Sequence, residues 1–131
     1  MKRLCIILAF LMIFTSGCLL KQTQKESVKL YFAVKGNIGL GTENKDIEYR
    51  DATEKYENTL KELLKGPSDT EKYEKSINEN VKILNIKVEN ENMTIDFSKG
   101  FGTFSGSLHE AAVVSSVVDT MIQFEEIKKV K

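Results

Sequence analysis

Two short segments that alternate apolar and polar side chains constrain the fold of this chain more than any other feature. They are residues 83–88 (ILNIKV) and residues 93–97 (MTIDF), and the polar sequence ENEN lies between them. A period of two is the pattern of a half-buried β-strand, and a short polar connection between two such segments is typical of a hairpin. The pattern therefore predicts a β-hairpin with one buried face, formed by Leu84, Ile86 and Val88 against Met93, Ile95 and Phe97.

A helix is predicted before this hairpin. Asp51 and Glu54 have the spacing of a capping box at its start. The sequence Gly66-Pro67 predicts its end, because Gly suits the left-handed conformation just past a helix and Pro prevents continuation. The same capping-box spacing from Ser68 predicts a further short helix over residues 69–76. The apolar face of the first helix is predicted to hold Ala52, Tyr56, Leu60, Leu63 and Leu64.

A second long helix is predicted after the hairpin, from Ser107 to about Phe124. Ser107 and Glu110 again have capping-box spacing. The many valines favour a strand by propensity, because β-branched side chains are stiff at χ1. The spacing nevertheless favours a helix, with one predicted apolar stripe of Ala111, Val114, Val118 and Met121, extended by Val117 and Ile122. Polar residues interrupt any strand alternation, namely Ser115, Ser116, Asp119 and Gln123.

Three further segments predict short strands, at residues 28–32, 47–49 and 127–131. The GxxGxG sequence from Gly36 to Gly41 predicts a turn and not a phosphate loop, because its order reverses the dinucleotide fingerprint and no helix opens behind it. The order β–α–β–β–α–β predicts an α+β fold, a two-layer sandwich with both helices on one face of a small sheet.

The first residues have the composition of a bacterial lipoprotein signal. Two basic residues precede an apolar run over residues 4–14, and small residues lead to Cys18. A basic start, about 7–15 apolar residues and a small-residue exit make up a secretory signal, and the run is shorter than the roughly 20 residues that span a bilayer. The order Ser16-Gly17-Cys18 resembles a lipobox, although Thr15 stands where an aliphatic residue is usual. The alternative is an ordinary signal peptide with a chance cysteine.

The lipobox resemblance implies cleavage before Cys18 and attachment of a diacylglyceryl group to its thiol. Acyl chains such as palmitate would then anchor the protein to the bacterial cell membrane, on its extracytoplasmic side. Residues 1–17 are accordingly predicted to be a signal peptide, residues 18–27 the lipidated cysteine with a flexible linker, and residues 28–131 a single domain.

Charge and cysteine content exclude several classes of function. The chain has 19 basic and 19 acidic residues, and removal of the signal leaves a small acidic excess without any basic run. Nucleic-acid binding, which depends on neutralising phosphates, is therefore not expected. Because Cys5 lies in the signal and Cys18 carries lipid, the domain is predicted to hold no disulfide and no thiolate metal site. No cofactor is expected.

No group of residues predicts an active site. His109 is the only histidine, and on its helical turn Ser107 and Glu110 project in other directions, so the three cannot form a nucleophile–base–orienter chain. Asp96 and Asp119 are predicted on polar faces, where a general acid or base would not be buried. The spaced Asp/Asn loop of a calcium site is lacking. We therefore predict a protein that is not an enzyme and binds no metal.

Three stretches of residues 28–131 together resemble a GerMN domain, a module named after a spore-germination protein. They are residues 60–68 (LKELLKGPS), the predicted hairpin and the last helix. The last part of the chain keeps the family's order at Gly106, Ser107, Glu110, Ala111, Val114, Val117, Thr120, Phe124, Ile127 and Val130. Two features depart from the family: Asn78 stands where Pro is usual, and members commonly continue past Val130 with several more strand residues.

The resemblance implies a fold similar to ring-building modules, and a role without chemistry. GerMN domains occur alone in lipoproteins, in tandem in the germination protein, and beside cell-wall amidase domains. We therefore expect a membrane-tethered, non-enzymatic scaffold or interaction module of the cell envelope, connected with sporulation or germination. The alternative is a module that binds peptidoglycan or another wall ligand and assists an amidase. The expected partners are the membrane, through the lipid on Cys18, and envelope proteins or the cell wall, with a homo-oligomer left open.

Overall fold

The computed structural model describes residues 20–131, and the predicted signal peptide and Cys18 lie outside them. Eight elements follow in order: β1 (Gln24–Val34), β2 (Leu40–Tyr49), α1 (Ala52–Lys65), β3 (Tyr73–Glu74), β4 (Ile83–Glu89), β5 (Asn92–Phe97), α2 (Ser107–Met121) and β6 (Lys129–Val130). The strands form two three-stranded sheets, with the orders β2-β1-β3 and β4-β5-β6. Every pair is antiparallel except β5 with β6. The predicted α+β class is confirmed, with the strands divided between two sheets.

One apolar core joins both sheets to both helices. Alternate residues of β1 point into it, and β5 contributes Met93 and Ile95. α1 contacts β1, β2 and β4, while α2 contacts β1 and β6. The buried apolar residues of β1 and the helices are Val28, Leu30, Phe32, Tyr56, Leu60, Leu63, Val113, Val117 and Met121.

β1 begins at Gln24, inside the segment predicted to be a flexible linker. Its first four residues pair with the last four of β2. A Lys25–Asp46 ion pair of 3.0 Å joins the strands there, as does a 3.0 Å hydrogen bond from the Tyr49 hydroxyl to the Glu26 carboxylate. The linker prediction is wrong over these four residues, because polar cross-strand pairs and not apolar alternation form this part of the sheet.

β2 is longer than the predicted strand at residues 47–49. Residues 42–46 are polar and carry no alternation that sequence analysis could find, because the strand lies at a sheet edge. Gly41 within it is required by a close approach: a Cβ at this position would collide with the ring of Tyr73, which packs across from β3. The turn predicted from the GxxGxG sequence is confirmed, since it connects β1 to β2.

α1 is the predicted helix, with both ends confirmed. The Asp51 carboxylate accepts the backbone N–H of Glu54 at 3.0 Å. In a capping box the Glu54 carboxylate would accept the N–H of the N-cap residue, Asp51. Here it accepts the N–H of Arg50 instead, at 2.8 Å. Gly66 ends the helix at φ 93°, and its N–H binds the carbonyl of Leu63. Of the predicted apolar face, Tyr56, Leu60 and Leu63 are buried, Leu64 is half-buried and Ala52 is exposed.

The chain after α1 does not form the helix predicted over residues 69–76. Asp69 instead caps a single turn by accepting two backbone N–H groups, and Tyr73 then pairs with the edge of β1. The N–H groups of Ser68 and Asp69 bind the Glu43 carboxylate at 2.9 and 2.8 Å. The short-helix prediction is wrong because the open edge of β1 takes the chain into a strand after one turn.

The predicted hairpin is confirmed in β4 and β5. Asn90 and Glu91 connect the strands with φ values of 49° and 63°, which is the pattern of a two-residue type I′ turn. On β5 the predicted face is correct, since Met93 and Ile95 are buried and Phe97 packs against the core.

The buried face of β4 differs from the prediction at Leu84. The register shifts between Ile83 and Asn85, so a bulge puts Ile83 and Ile86 against the core together. Leu84 is left 66% exposed, and Val88 is exposed at the end of the strand. A bulge inverts the alternation of the residues beyond it, and the sequence carries no signal for its position.

α2 begins as predicted but without the predicted capping box. Gly106 is its N-cap at φ 146°, and no side chain caps the helix there. Ser107 is the first helical residue, so its hydroxyl does not occupy the cap position.

The buried face of α2 is rotated from the predicted stripe. It holds Val113, Ser116, Val117, Thr120 and Met121, while Ala111, Val114 and Ile122 are exposed. The reason is that α2 covers the edge of β1. The Thr120 hydroxyl accepts the N–H of Tyr31 at 3.2 Å, and the Gln123 amide accepts the N–H of Lys29 at 2.9 Å and donates to its carbonyl at 2.8 Å. Because Thr120 and Gln123 point toward the β1 backbone, apolar residues such as Val114 and Ile122 are turned toward solvent.

Candidate interaction surface on the second helix

The side of α2 that faces away from the core is apolar. Leu108 is 73% exposed, Val114 43% and Ile122 42%. Positions 108, 111, 115, 118 and 122 follow one another at alternating spacings of three and four residues, which puts them on one side of the helix. The outward face of α2 is defined here as Leu108, Ala111, Val114, Ser115, Val118 and Ile122.

Charged groups are scarce on α2. Its only acidic side chains are Glu110 and Asp119, and it carries no Lys or Arg. Within residues 20–131, no α2 side chain forms an ion pair. The outward face is therefore open to contact by another apolar surface.

A first groove, of about 510 Å³, runs along one flank of this face, between α2 and the end of β5. Phe97 and Phe101 stack beside it with their ring centroids 4.1 Å apart. Lys99, Lys131 and Asp96 carry the charges of its lining. Its apolar lining consists of Ile95, Phe97, Phe101, Val114, Val117, Val118 and Val130.

A second groove, of about 680 Å³, lies on the other flank, between α2 and the β1–β2 turn. Ile38 stands at the tip of this turn and is 84% exposed, and Leu108 lines the same groove. Glu74, Ser105 and Ser115 add polar groups to the apolar lining. The two grooves make α2 a ridge that a partner could contact on three sides.

His109 lines the second groove, but both of its ring nitrogens are engaged. Nδ1 lies 3.0 Å from the backbone N–H of Ser105, and Nε2 lies 2.7 Å from the carbonyl of Ser76. The backbone N–H of Ser105 can only donate, so Nδ1 is the acceptor of that bond. Nε2 therefore carries the ring hydrogen and donates a hydrogen bond to the Ser76 carbonyl. His109 thus reaches back over the start of α2, as the Glu of a capping box does. It holds the loop before α2 to the segment after β3.

A cluster of aromatic and charged side chains surrounds Lys55 on α1. The Lys55 side chain is only 13% exposed. Its ammonium lies 4.6 Å from the ring centroid of Phe124 and 5.6 Å from those of Tyr49 and Tyr56. Aromatic faces at this distance attract a cation, so the cluster stabilises the buried charge.

Two carboxylates complete this cluster. Glu126 lies 3.1 Å from the Lys55 ammonium and Glu26 lies 3.9 Å from it. The Tyr56 hydroxyl donates a 2.6 Å hydrogen bond to Glu126, and this bond, with that from Lys55, holds the pKa of Glu126 below its ordinary value. Burial and the same bond raise the pKa of Tyr56. The groups satisfy one another and join α1 to β1, β2 and the segment before β6, which is a structural role.

The remaining residues that were considered as catalytic or metal-binding candidates do not lie together in a site. Asp96 is exposed and Asp119 is half-buried. Among residues 20–131, no three His, Cys, Asp or Glu side chains are grouped as metal ligands would be. No helix in the same range combines the length and the apolar character that crossing a membrane requires. Cys18 lies outside the described residues, so its lipidation stays a prediction.

The outward face of α2 was missed in the sequence for an identifiable reason. The alternating spacing from Leu108 to Ile122 is present, but an apolar stripe was assumed to face the core. The inward role of Thr120 and Gln123 follows only from the position of the β1 edge.

Comparison with known proteins identifies relatives of this fold. The family model Germane, described as sporulation and spore germination, matches residues 29–131. A crystal structure of a candidate lipoprotein from Clostridium perfringens is 18% identical, with a TM-score of 0.57, over 85% of this chain and 74% of that one. The tandem GerMN domains of the sporulation protein GerM from Bacillus subtilis are 24% identical, with a TM-score of 0.62, over 86% of this chain and 39% of that one. This chain thus spans well under half of the tandem protein. No curated protein matches the chain.

Proposed function

We propose that this chain, which belongs to the Germane family of sporulation and spore germination proteins, is a lipid-tethered module of the cell envelope that binds other proteins through the outward face of α2 and performs no chemistry. The family match covers residues 29–131 and confirms the GerMN resemblance found in the sequence. Membership connects the chain with sporulation or germination.

One observation carries the binding role: Leu108 and Val114 of α2, with Ile122 directly after its last residue, are exposed on one side of a small domain. Burying apolar surface stabilises a protein by about 25 cal/mol per Å², so a face left in water forgoes that stabilisation. Contiguous exposed apolar surface beside grooves is typical of interaction sites. The face is therefore best explained as a surface that a partner covers.

The position of the predicted tether supports a protein partner over the bilayer. Cys18 precedes β1, whose 11 residues extend roughly 35 Å at about 3.3 Å per residue. Ile38 lies just past the far end of β1 and lines the second groove together with Leu108. A lipid on Cys18 would thus hold the opposite end of β1 near the membrane and leave this end of the outward face free for envelope proteins.

The engagement of the titratable groups supports a binding role over catalysis. Both nitrogens of His109 are bound to backbone groups, and Lys55 and Glu126 are bound to each other. A general base must be within reach of a substrate proton, and these groups already have partners.

Affinity capture of the full chain from cross-linked membranes tests the binding role. We expect discrete envelope proteins to be recovered, and Val114→Glu to lower their recovery, because a carboxylate would have to be desolvated in the contact. Leu84→Glu is the matched control, since Leu84 is also exposed but lies on β4. Equal recovery by both variants would overturn the role of α2, and recovery of no protein by the wild-type chain would overturn the binding function.

The tether is tested by the mass of the N-terminal peptide of the mature protein. We expect a peptide that begins at Cys18 and carries a diacylglyceryl group. An unmodified peptide that begins at another residue would remove the tether from this account and leave the binding face in place.

A second candidate function is binding of peptidoglycan or another wall ligand in support of an amidase. The second groove favours it, because apolar walls with Glu74, Ser105 and Ser115 resemble the lining of small-ligand sites. Tyr56 and Tyr73 are both buried and offer no stacking surface for sugars. Sedimentation of the chain with purified cell wall separates the two functions, since a protein-binding module stays in the supernatant.

A further inference from the structure

We propose that the partner of the outward face of α2 includes a second copy of this chain, with the two α2 helices packed side by side in antiparallel orientation. This inference rests on the proposed function, because it names an occupant for the same surface. The spacing of the face and the charges on either side of it support this occupant.

The spacing of the outward face suits pairing with itself. Positions at alternating intervals of three and four residues form the seam of a two-helix contact. An antiparallel pair with its two-fold axis between Ala111 and Ser115 puts Ala111 of each copy opposite Ser115 of the other. Leu108 of each copy then lies opposite Val118 of the other. Small residues at the centre let the helices approach to about 8 Å, and larger residues at both sides fill the remaining space.

The charges favour a second α2 as the occupant. α2 carries the carboxylates of Glu110 and Asp119 and no Lys or Arg, whereas the charged side chains that line the first groove are Lys99, Lys131 and Asp96. In the antiparallel arrangement, Glu110 of the second copy lies at the level of Val114 and Val117, which line this groove. An apolar helix with acidic flanks is thus complementary to the groove, while an anionic membrane surface would be repelled by those flanks.

The contact is small, and attachment to a membrane compensates for that. A single pair of helices buries less than the roughly 800 Å² per partner of a standard interface, so association of the free domain in solution is weak. Two copies held on one membrane meet at a high effective concentration, which raises the paired fraction without any new contact. The pairing is therefore best measured on the full chain in membranes.

Cysteine cross-linking of the full chain in bacterial membranes tests the proposal. Ser115→Cys, treated with a short bis-maleimide, is expected to yield a dimer of this chain. Lys61→Cys, on the exposed side of α1, is the matched position control, and the parent chain with its own Cys5 and Cys18 gives the background. A dimer from Ser115→Cys alone supports the pairing, and equal dimer yield from Lys61→Cys overturns it.

Further substitutions in the Ser115→Cys chain examine the contact itself. Ala111→Glu puts a carboxylate at the centre of the seam and is expected to lower the dimer yield about tenfold, a change of about 1.4 kcal/mol. Leu84→Glu is expected to leave the yield unchanged. Glu110→Lys is expected to lower it roughly twofold to fivefold, within the range of exposed ion pairs, and Lys99→Glu in the same chain to restore it. An Ala111→Glu chain that dimerises as well as its parent overturns the proposal.

The failure of the pairing and the failure of the proposed function give different results. A photoreactive residue at position 115 needs no thiol on its partner and separates the two. If it cross-links only to other envelope proteins, the second copy is excluded and the binding function stands. If that photoreactive residue yields no protein adduct above background, both the pairing and the function of this face are overturned.

Discussion

The two helices of this domain differ in the side chains that their outer faces expose. α1 buries Tyr56, Leu60 and Leu63 and covers its outer side with ion pairs such as Lys61–Glu57. α2 buries Val113, Val117 and Met121 together with Ser116 and Thr120. It leaves Leu108 and Val114 exposed, and Ile122 is exposed directly after its last residue. α1 leaves no large apolar side chain exposed, because Leu64 also packs against the core. The outer face of α2 carries exposed apolar side chains without a partner within the described residues, and this difference supports the proposed binding surface.

The largest expected effect on the free energy of unfolding comes from a substitution on the inner face of α1. Leu60→Ala removes a fully buried side chain and leaves a cavity, so we expect the free energy of unfolding to fall by about 2–5 kcal/mol. Val114→Ala on the outer face of α2 is expected to change it by less than about 0.5 kcal/mol. Equilibrium urea unfolding of residues 20–131 measures both. Similar losses in the two variants would show that the outer face of α2 is part of the folded core.

The inner face of α2 should be sensitive to the loss of a polar atom at constant volume. Thr120→Val removes the hydroxyl that accepts the Tyr31 N–H, and it leaves that backbone group on the β1 edge without its partner. The expected loss is about 1–3 kcal/mol of unfolding free energy. Urea unfolding beside Ser115→Ala, an outer-face hydroxyl variant with little expected effect, isolates the inward bond. A Thr120→Val protein as stable as the wild type would contradict the explanation for the rotated face of α2.

The helix starts provide a third contrast. Asp51→Ala removes a carboxylate that caps α1, and we expect a loss of about 1 kcal/mol in unfolding free energy. Ser107→Ala at the start of α2 should have almost no effect, because no side chain caps that helix. Thermal unfolding of the two variants in parallel decides the point. A larger loss for Ser107→Ala would mean that the capping box predicted from the sequence forms after all.

The smallest expected effect is a pH dependence of the free energy of unfolding, which arises from the bond between Tyr56 of α1 and Glu126. The bond from Tyr56 lowers the folded-state pKa of Glu126 below its ordinary value of 4.5. A lowered folded-state pKa contributes stability that is present above the unfolded-state pKa and is lost as pH falls through the folded-state pKa. Urea unfolding between pH 6 and pH 3 should therefore show a loss of stability in acid. Glu126→Gln and Tyr56→Phe should both reduce its slope, and an unchanged slope in both would contradict the role of this bond.

Features with local causes could be predicted from the sequence. The ends of α1 follow from Asp51 and Gly66, and the hairpin follows from alternation on both sides of a short polar turn. These signals lie within a few residues of the structure that they specify. They required no knowledge of the rest of the fold.

Features that depend on distant partners were not predictable in the same way. β3 exists because the edge of β1 accepts Tyr73, and the polar start of β1 is ordered only by its pairing with β2. The rotation of α2 has the same origin, since Thr120 and Gln123 turn inward to bind the β1 backbone. The candidate surface is a consequence of that rotation, so the residues were visible in the sequence while their direction was not.

Site-specific photo-cross-linking in intact cells tests the division between the helices most directly. A photoreactive residue at position 114, on the outward face of α2, is compared with one at position 61, on the exposed side of α1, in the full chain. We predict protein adducts from position 114 and none above background from position 61. Equal adduct yields from the two positions, or adducts from position 61 alone, would contradict the claim that the outward face of α2 is the surface through which this protein works.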